Sequence, residues 1–452
     1  MRQSLESKAA GAATTPSEII ALCYKNEYPK LIATLLKLLG SHQFALAQDI
    51  VHDTFNKAST KWVDPAHVPT LPAAWLMTVA KRRAIDHLRQ QSKFEHYPSS
   101  HDIEALDDAH NQVDDTYVDD SSLLLLNWIA NSGLKPELLI PLLLKVVVGL
   151  NNEQVSRALV ISVENARKRI YRATQLLQKS GICFESLYSD VCESGKGLKH
   201  DAGSNITSNT VAKDCVHKTL YLLFNEGLNG SLQAYEKQSS HDLLLVEALN
   251  LAKSVYQTPS LKSNESSALC AVILFGLARQ SSRIDESGAL IPINMQDRSL
   301  WKNRYLAAAV MYLTEALNEI DNGAMPSEYL YEALIANEHL RASDFVHTNW
   351  ANICQHYQNW LVHTDSGMVK INYAIAMAHN GNIDKALGIL ASLSNDKQLA
   401  KTHHLPATMA FIYALANDLH TSNVFLLKAK QSGASDRELI NLQKQIEQFS
   451  NN

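Results

Sequence analysis

Apolar side chains recur every three or four residues through most of this chain, and strict alternation of apolar and polar residues is nearly absent. A spacing of three or four aligns side chains along one side of a helix, whereas alternation aligns them on one face of a strand. Helix-forming residues predominate and proline is scarce, with 12 in 452 residues. The pattern therefore predicts an all-α protein, and its length predicts more than one domain.

The net charge of −5 conceals an uneven distribution. Residues 1–180 carry 20 Lys and Arg against 19 Asp and Glu, but nine of those acids lie between Glu95 and Asp120. The segments on either side are therefore strongly basic, as expected of modules that contact phosphate. Residues 181–452 carry 21 basic and 27 acidic residues, which gives no reason to expect nucleic-acid binding there.

Changes in composition divide the chain into five segments. They are a helical module at 17–93, an acidic linker at 94–133, a second helical module at 134–181, another linker at 182–209 and a C-terminal helical domain at 210–452. Within the last segment, residues 372–390 have the small-residue and glycine spacing of a tetratricopeptide helix pair, which residues 410–428 repeat loosely. We therefore expect a tetratricopeptide-like helical array at the C-terminal end.

The first basic helix is predicted at residues 72–89, where Pro72 is suited to a helix start. Its apolar stripe consists of Leu76, Val79, Ala80, Ala84 and Leu88. Its cations, predicted to lie along a DNA strand, are Lys81, Arg82, Arg83, Arg89 and Lys93. The alternative for this face is an ordinary solvated charged surface. Trp75 starts the apolar stripe, so we expect it in the core rather than stacked on a base.

Residues 149–173 have the pattern of a helix-turn-helix. Asn151 is a suitable N-cap for a first helix that turns Val155 and Leu159 inward, and Ser162 is a suitable N-cap for a second helix. The second helix exposes Asn165, Arg167, Lys168, Arg169 and Arg172. In a major groove, Arg and Lys can reach guanine and Asn can reach adenine. We predict a recognition helix; the alternative is a basic helix facing solvent.

Other sequence features exclude several classes of protein. The six cysteines are scattered without a Cys-x-x-Cys pair, which predicts reduced thiols in a cytoplasmic protein. The most apolar run, residues 138–148, contains Pro141 and Lys145 and is too short to span a membrane. There is no phosphate-binding glycine loop, zinc-protease motif or nucleophile elbow. We expect no enzymatic activity, no metal, no cofactor and no membrane partner.

Taken in this order and spacing, the motifs resemble the extracytoplasmic-function group of bacterial sigma-70 factors. Residues 44–58 look like region 2.2, residues 72–89 like regions 2.3 and 2.4, and residues 134–181 like region 4. The resemblance implies that Asp49 and Asp53 contact the β′ clamp helices of core RNA polymerase. It also implies that the first basic helix opens and reads the −10 element of promoter DNA, and that the second module reads the −35 element and touches the β flap.

The resemblance continues beyond residue 181. Residues 220–227, 279–283 and 296–301 look like signatures of large sigma factors with a C-terminal helical extension. Residues 126–133 depart from the family by lacking a Cys-Cys-His-Pro-like stretch, and Val160 stands where region 4 usually has glycine. Six polar residues of the signatures form either a docking or ligand site or buried pairs that hold helices together. They are Asn225, Glu226, Arg279, Arg283, Asp297 and Arg298.

The sequence is thus interpreted as that of a sigma factor that directs promoter-specific transcription initiation. Its C-terminal domain, which has the size of a separate regulator and the helical array of a protein-binding surface, is predicted to regulate it in cis and to have a protein partner. The alternative is a helical-repeat scaffold or adaptor whose sigma-like N-terminal half is degenerate. Retention of cations in both N-terminal modules argues against this alternative.

Overall fold

In a computed structural model the protein is all-α, as the hydrophobic periodicity predicts. The structure describes residues 15–92, 120–180, 184, 210–229, 238–259, 261–285, 290–396, 399 and 402–450. Within these ranges, extended pairing is limited to an isolated bridge between Ile284 and Leu290. The prediction of an all-α fold is therefore confirmed.

The chain forms two compact units. The first comprises Met1–Glu226 and Ser254–Lys262, and the second comprises Gly227–Lys253 and Ser263–Asn452. The sequence-based domain limits, including the start of a C-terminal domain at residue 210, stay predictions.

The first unit begins with a three-helix bundle. Its helices are α1 (Pro16–Leu39), α2 (Phe44–Lys61) and α3 (Pro72–Ser92), and each packs against the other two. Thr15 and Glu18 form a capping box at the start of α1, which satisfies backbone donors that have no partner within the helix. Fully buried side chains such as Leu31, Leu36 and Val51 fill the bundle.

Part of the predicted acidic linker is helical. Asp120–Ala130 forms α4, which packs against α1 and against α5 (Pro136–Val146). Trp128 is fully buried, and its ring meets Phe44 edge-on with 5.5 Å between centroids. This stretch of the predicted linker is helical and packed, because four leucines at 123–126 and Trp128 supply an apolar face once the acidic run ends. Residues 93–119 lie outside the described ranges.

The second basic segment forms two helices, α6 (Asn152–Leu159) and α7 (Val163–Lys179). Asn151 caps α6 through a capping box with Gln154, and Ser162 caps α7 by accepting from the backbone N–H of Asn165. Both predicted N-caps are therefore confirmed. Val160 lies between the helices in the left-handed conformation, with φ 53° and ψ 46°. α7 packs against both α5 and α6.

The remaining helices are α8 (Thr210–Asn229), α9 (Gln238–Gln257), α10 (Ser266–Arg279), α11 (Asn303–Asp321), α12 (Glu328–Arg341), α13 (Trp350–His363), α14 (Gly367–His379), α15 (Ile383–Ser392), α16 (His404–Leu415), α17 (Leu419–Gln431) and α18 (Asp436–Ser450). In the second unit α10 is buried on nearly all sides and packs against α11 and α12. From α12 to α18, each helix packs against the next along the chain or the next but one.

The pairs α14–α15 and α16–α17 occupy the two segments in which the sequence predicts tetratricopeptide-like pairs. Gly381 turns the chain between α14 and α15 with φ 77°, a conformation that favours glycine. Assignment of these pairs to tetratricopeptide repeats stays a prediction.

The described cysteines Cys23, Cys215, Cys270 and Cys354 are free. In the part of the chain that the structure describes, no helix combines the length and apolar character needed to cross a membrane.

Candidate functional site

The apolar stripe of α3 faces the three-helix bundle. Leu76, Ala80 and Ala84 are fully buried, while Val79 and Leu88 are half-buried at its margins. Trp75 is half-buried with its ring centroid 5.3 Å from that of the buried Trp62, as the sequence analysis expects. The buried stripe fixes which side of α3 is left for its cations.

The candidate DNA-binding cations of α3 occupy different environments. Arg82 and Arg89 are exposed, and Lys81 is half-buried. Arg83 instead turns toward α2 and donates to the carboxylate of Asp53. Lys93 lies outside the described residues. Lys81, Arg82 and Arg89 stay predicted DNA contacts, whereas Arg83 links α3 to α2.

The acidic face of α2 carries the candidate polymerase contacts. Asp49 and Asp53 are both exposed and lie one helical turn apart on the same side of α2. His52 lies beside them and has its pKa lowered by burial and then by the charge of Lys145, while the two aspartates act in the opposite direction. Both acids lie on the surface, and Lys145 of α5 acts on the histidine beside them.

Lys145 belongs to the apolar segment that forms α5. Its ammonium lies 5.9 Å from the centre of the Tyr24 ring on α1, and burial lowers its pKa. The Tyr24 hydroxyl lies 3.3 Å from Nε2 of His52, and burial raises the pKa of this tyrosine to about 12. A single lysine within an otherwise apolar run is the sequence signal for this contact. Helix α7 also packs against α2 and against the turn Ser41–Gln43.

The candidate recognition helix α7 presents most of its predicted DNA contacts to solvent. Asn165, Arg167, Lys168 and Arg172 are exposed and Arg169 is half-buried. Lys168 forms an exposed ion pair with Glu164 at 2.6 Å, one turn earlier in the helix. The opposite side buries Ala166, Ala173 and Leu177. The structure thus brings the five residues onto one amphipathic helix whose first turns are uncovered on their basic side.

The helix-turn-helix also has a partner that the sequence analysis does not identify. Arg157 of α6 donates to the carboxylate of Glu226 in α8 over 2.6 Å. Only 7% of the Glu226 side chain is exposed, against 42% of the Arg157 side chain. Glu226, which belongs to the signature at residues 220–227, therefore forms an ion pair with Arg157 of the helix-turn-helix. Both residues belong to the first unit.

Signature residues of the second unit form a hydrogen-bonded network. Arg279 Nε donates to Gln296 Oε1 at 3.2 Å, Ser282 Oγ donates to the same oxygen at 3.3 Å, and Trp301 Nε1 donates to Ser282 Oγ at 2.9 Å. Arg298 donates through Nη1 to the backbone oxygens of His339 and Ala342 at the end of α12. For Arg279 and Arg298, these contacts are polar pairs that hold helices and turns together; the choice between pairing and a ligand site stays open for the other signature residues of this unit.

No metal centre accompanies these features. Among the described residues, no group of three or more His, Cys, Asp or Glu is placed to hold a metal ion. In the described residues the candidate site consists of charged and polar side chains on helices.

Comparisons with known proteins bear on this site. Residues 23–94 match the family model for sigma-70 region 2, and residues 213–317 match a family of unknown function, DUF6596. An uncharacterized protein of Rhizobium meliloti (strain 1021) is 27% identical over 378 residues, which cover 83% of each chain. No solved structure matches the chain. The bundle of α1, α2 and α3 is thus the part of the molecule similar to sigma-70 region 2, and this match supports a sigma-70 family factor.

Proposed function

We propose that this protein is a sigma factor of the extracytoplasmic-function group, which binds core RNA polymerase and directs promoter-specific initiation without catalysing a reaction itself. The observation that carries the proposal is the match of residues 23–94 to sigma-70 region 2. This segment contains both exposed acids of α2 and the exposed cations of α3. A surface with acids on one helix and cations on the next can contact a basic protein surface and DNA at the same time.

In the proposed mechanism, Asp49 and Asp53 contact the β′ clamp helices of the polymerase. Lys81, Arg82 and Arg89 on α3 contact the −10 segment, where charge neutralisation provides affinity and an opened strand offers its bases. Arg83 keeps α3 in place against α2, since its guanidinium already binds Asp53.

The helix-turn-helix supplies the second DNA contact in this proposal. The uncovered first turns of α7 enter the major groove of the −35 element, with Arg167, Lys168 and Arg169 near the bases, and the module touches the β flap. Phosphate contacts position the helix and base contacts provide sequence specificity. Because the two promoter elements are separate, the contact of Lys145 on α5 with Tyr24 on α1 and the packing of α7 against α2 have to open before both modules engage one promoter.

The function is tested by run-off transcription with purified core polymerase on candidate promoters, together with co-purification of the two proteins. We expect Asp49→Lys combined with Asp53→Lys to abolish co-purification, because both changes reverse the charge of the polymerase-facing side of α2. Asp49→Lys alone leaves the Arg83–Asp53 pair intact and separates loss of binding from loss of structure. Asp86→Lys, at an exposed position of α3, is the control and retains polymerase binding.

Two outcomes would contradict the proposal. Holoenzyme formation by the double reversal variant at the level of the wild type would remove Asp49 and Asp53 from the polymerase contact. Absence of polymerase binding and of run-off product with the wild-type protein would favour the alternative, a helical-repeat scaffold with a degenerate sigma-like half.

A further inference from the structure

The second unit contains a cavity of about 200 Å³ that the proposed function does not use. Six aromatic rings lie in its wall: His339, Phe345, Trp350, Tyr357, His379 and Phe411. They come from α12, α13, α14 and α16 and from the segment before α13. The cavity is therefore assembled by several helices of the array rather than by one loop.

The aromatic rings support one another in fixed orientations. Trp350 and His379 are stacked with 4.3 Å between centroids and 18° between planes. Phe345 and His339 meet the Trp350 ring edge-on at 5.2 Å and 5.3 Å. Edge-on and offset contacts are the favoured arrangements of aromatic pairs. The wall therefore presents aromatic side chains in defined orientations.

Polar groups also face this cavity. Asn294, Asn372 and Gln445 belong to its lining. Each of these amide side chains can both donate and accept a hydrogen bond. The lining thus combines stacking surfaces with a few hydrogen-bonding groups, as small-molecule sites do.

Two arginines lie close to His339 on one side of the cavity. Burial lowers the pKa of His339 to about 4, and the charges of Arg279, Arg298 and His379 act in the same direction. Nη2 of Arg298 is buried and has no hydrogen-bond partner among the described residues. Asp344, the acid whose charge acts on Arg298, is bound to His347 at 2.8 Å. None of the described residues that line the cavity is acidic.

We propose that this cavity binds a small planar molecule that has an aromatic ring and a negative charge, of the class of aromatic carboxylates. Aromatic walls alone would also suit an organic cation. The guanidinium groups of Arg279 and Arg298 beside His339, and the lack of an acid in the described lining, disfavour that occupant. A volume of about 200 Å³ accommodates one or two fused rings. This inference concerns the second unit and does not rest on the proposed sigma-factor function.

The test is isothermal titration calorimetry of the full-length protein with three probes of one ring shape: indole-3-carboxylate, indole and tryptamine. We expect the carboxylate to bind at least tenfold more tightly than neutral indole, and the amine not to bind. Ala376→Leu, which adds atoms at a buried position of the wall, abolishes binding. Asn372→Asp, at an exposed lining position, weakens it several-fold by adding a negative charge.

Asn318→Asp is the matched control, because Asn318 is an exposed residue of α11 outside the cavity lining, and it leaves affinity unchanged. Thermal unfolding of every variant shows whether a lost signal reflects lost structure; since Asn372 is exposed, its variant keeps the test valid if Ala376→Leu does not fold. Failure of the carboxylate to bind, equal binding of carboxylate and amine, or unchanged affinity in folded Ala376→Leu would each overturn the proposal.

Discussion

Val160 is the residue at which the helix-turn-helix deviates most clearly from favourable local geometry. Its φ of 53° places a β-branched residue in the left-handed region, and 91% of its side chain is exposed. A left-handed conformation costs a residue with a Cβ roughly 1–2 kcal/mol. Because so little of the side chain is buried, packing contributes little that offsets this cost. Glycine, which has no Cβ, would adopt this conformation without that cost.

We therefore predict that Val160→Gly stabilises the protein. The gain is about 0.5–1 kcal/mol in the free energy of unfolding, since relief of the left-handed strain exceeds the entropic cost of glycine. Chemical denaturation followed by circular dichroism measures the change. Asn417→Gly is the control, because asparagine tolerates its φ of 62° and little strain is relieved there. A destabilised Val160→Gly variant would contradict this account of the turn.

The basic residues at the start of α7 give a prediction for DNA binding. Changing Arg167, Lys168 and Arg169 to alanine individually should lower promoter activity at least several-fold, since a bidentate base contact is worth roughly 1–3 kcal/mol. Alanine favours helix, and the Lys168–Glu164 pair is exposed, so the fold is retained. Lys179→Ala, an exposed lysine at the end of α7, serves as the control. A triple alanine variant with wild-type transcription would disprove the recognition helix.

At the scale of the elements, local signals predict helices well and contacts between them poorly. The caps Asn151 and Ser162 and the start of α3 at Pro72 follow from residues within one or two turns of each helix end. Helix α4 is not predicted from the sequence, because the acidic residues before it dominate the local composition. Its own run of leucines is the pattern that indicates a buried helix. The Arg157–Glu226 pair spans 69 residues and leaves no local pattern in the sequence.

The charged residues of the candidate site on α2 and α3 are also predicted only in part. The exposure of Arg82 follows from helical periodicity, because this position lies away from the apolar stripe of α3. Asp49 and Asp53 are predicted from the resemblance of residues 44–58 to region 2.2, and both are exposed. The ion pair between Arg83 and Asp53 does not follow from helical periodicity, because it depends on how α2 and α3 pack against each other. A charge pattern therefore identifies a basic face, whereas packing decides which of its cations remain available to DNA.

The Arg157–Glu226 pair gives a prediction for the coupling of α8 to the helix-turn-helix. Arg157→Ala should destabilise the protein by about 1–3 kcal/mol, because it leaves a buried carboxylate without its charged hydrogen-bond donor. Combining it with Glu226→Gln should restore part of this loss, with an interaction energy of roughly 0.5–3 kcal/mol in a double-mutant cycle. Denaturation of the four proteins measures it.

The Arg157–Glu226 prediction has a reference variant and an outcome that would contradict it. Lys168→Ala is the reference, because removal of its exposed pair with Glu164 costs about 0–1 kcal/mol. Additive effects of the Arg157 and Glu226 changes would show that the pair does not couple α8 to α6.

At the scale of the whole molecule, the charges separate into regions with different tasks. The cations predicted to bind DNA lie in residues 81–93 and 165–172, and the chain beyond residue 180 carries more acids than bases. Glu226 nevertheless belongs to the first unit together with the helix-turn-helix. Part of the chain beyond the sigma-like modules is thus physically connected to the module that we propose binds the −35 element, which is the arrangement that regulation in cis requires.

Regulation in cis predicts that truncation after Gly181 changes transcription from a cognate promoter at least several-fold, because a regulatory segment must contact the DNA-binding modules or the polymerase. A passenger domain has no such requirement. Truncation after Leu228 retains Glu226 and separates the effect of α8 from that of the rest of the chain. Run-off transcription at matched protein levels gives the promoter output, and co-purification gives polymerase binding. If full-length and truncated proteins show equal output and equal binding, the C-terminal part is a passenger and its contact through Glu226 serves stability alone.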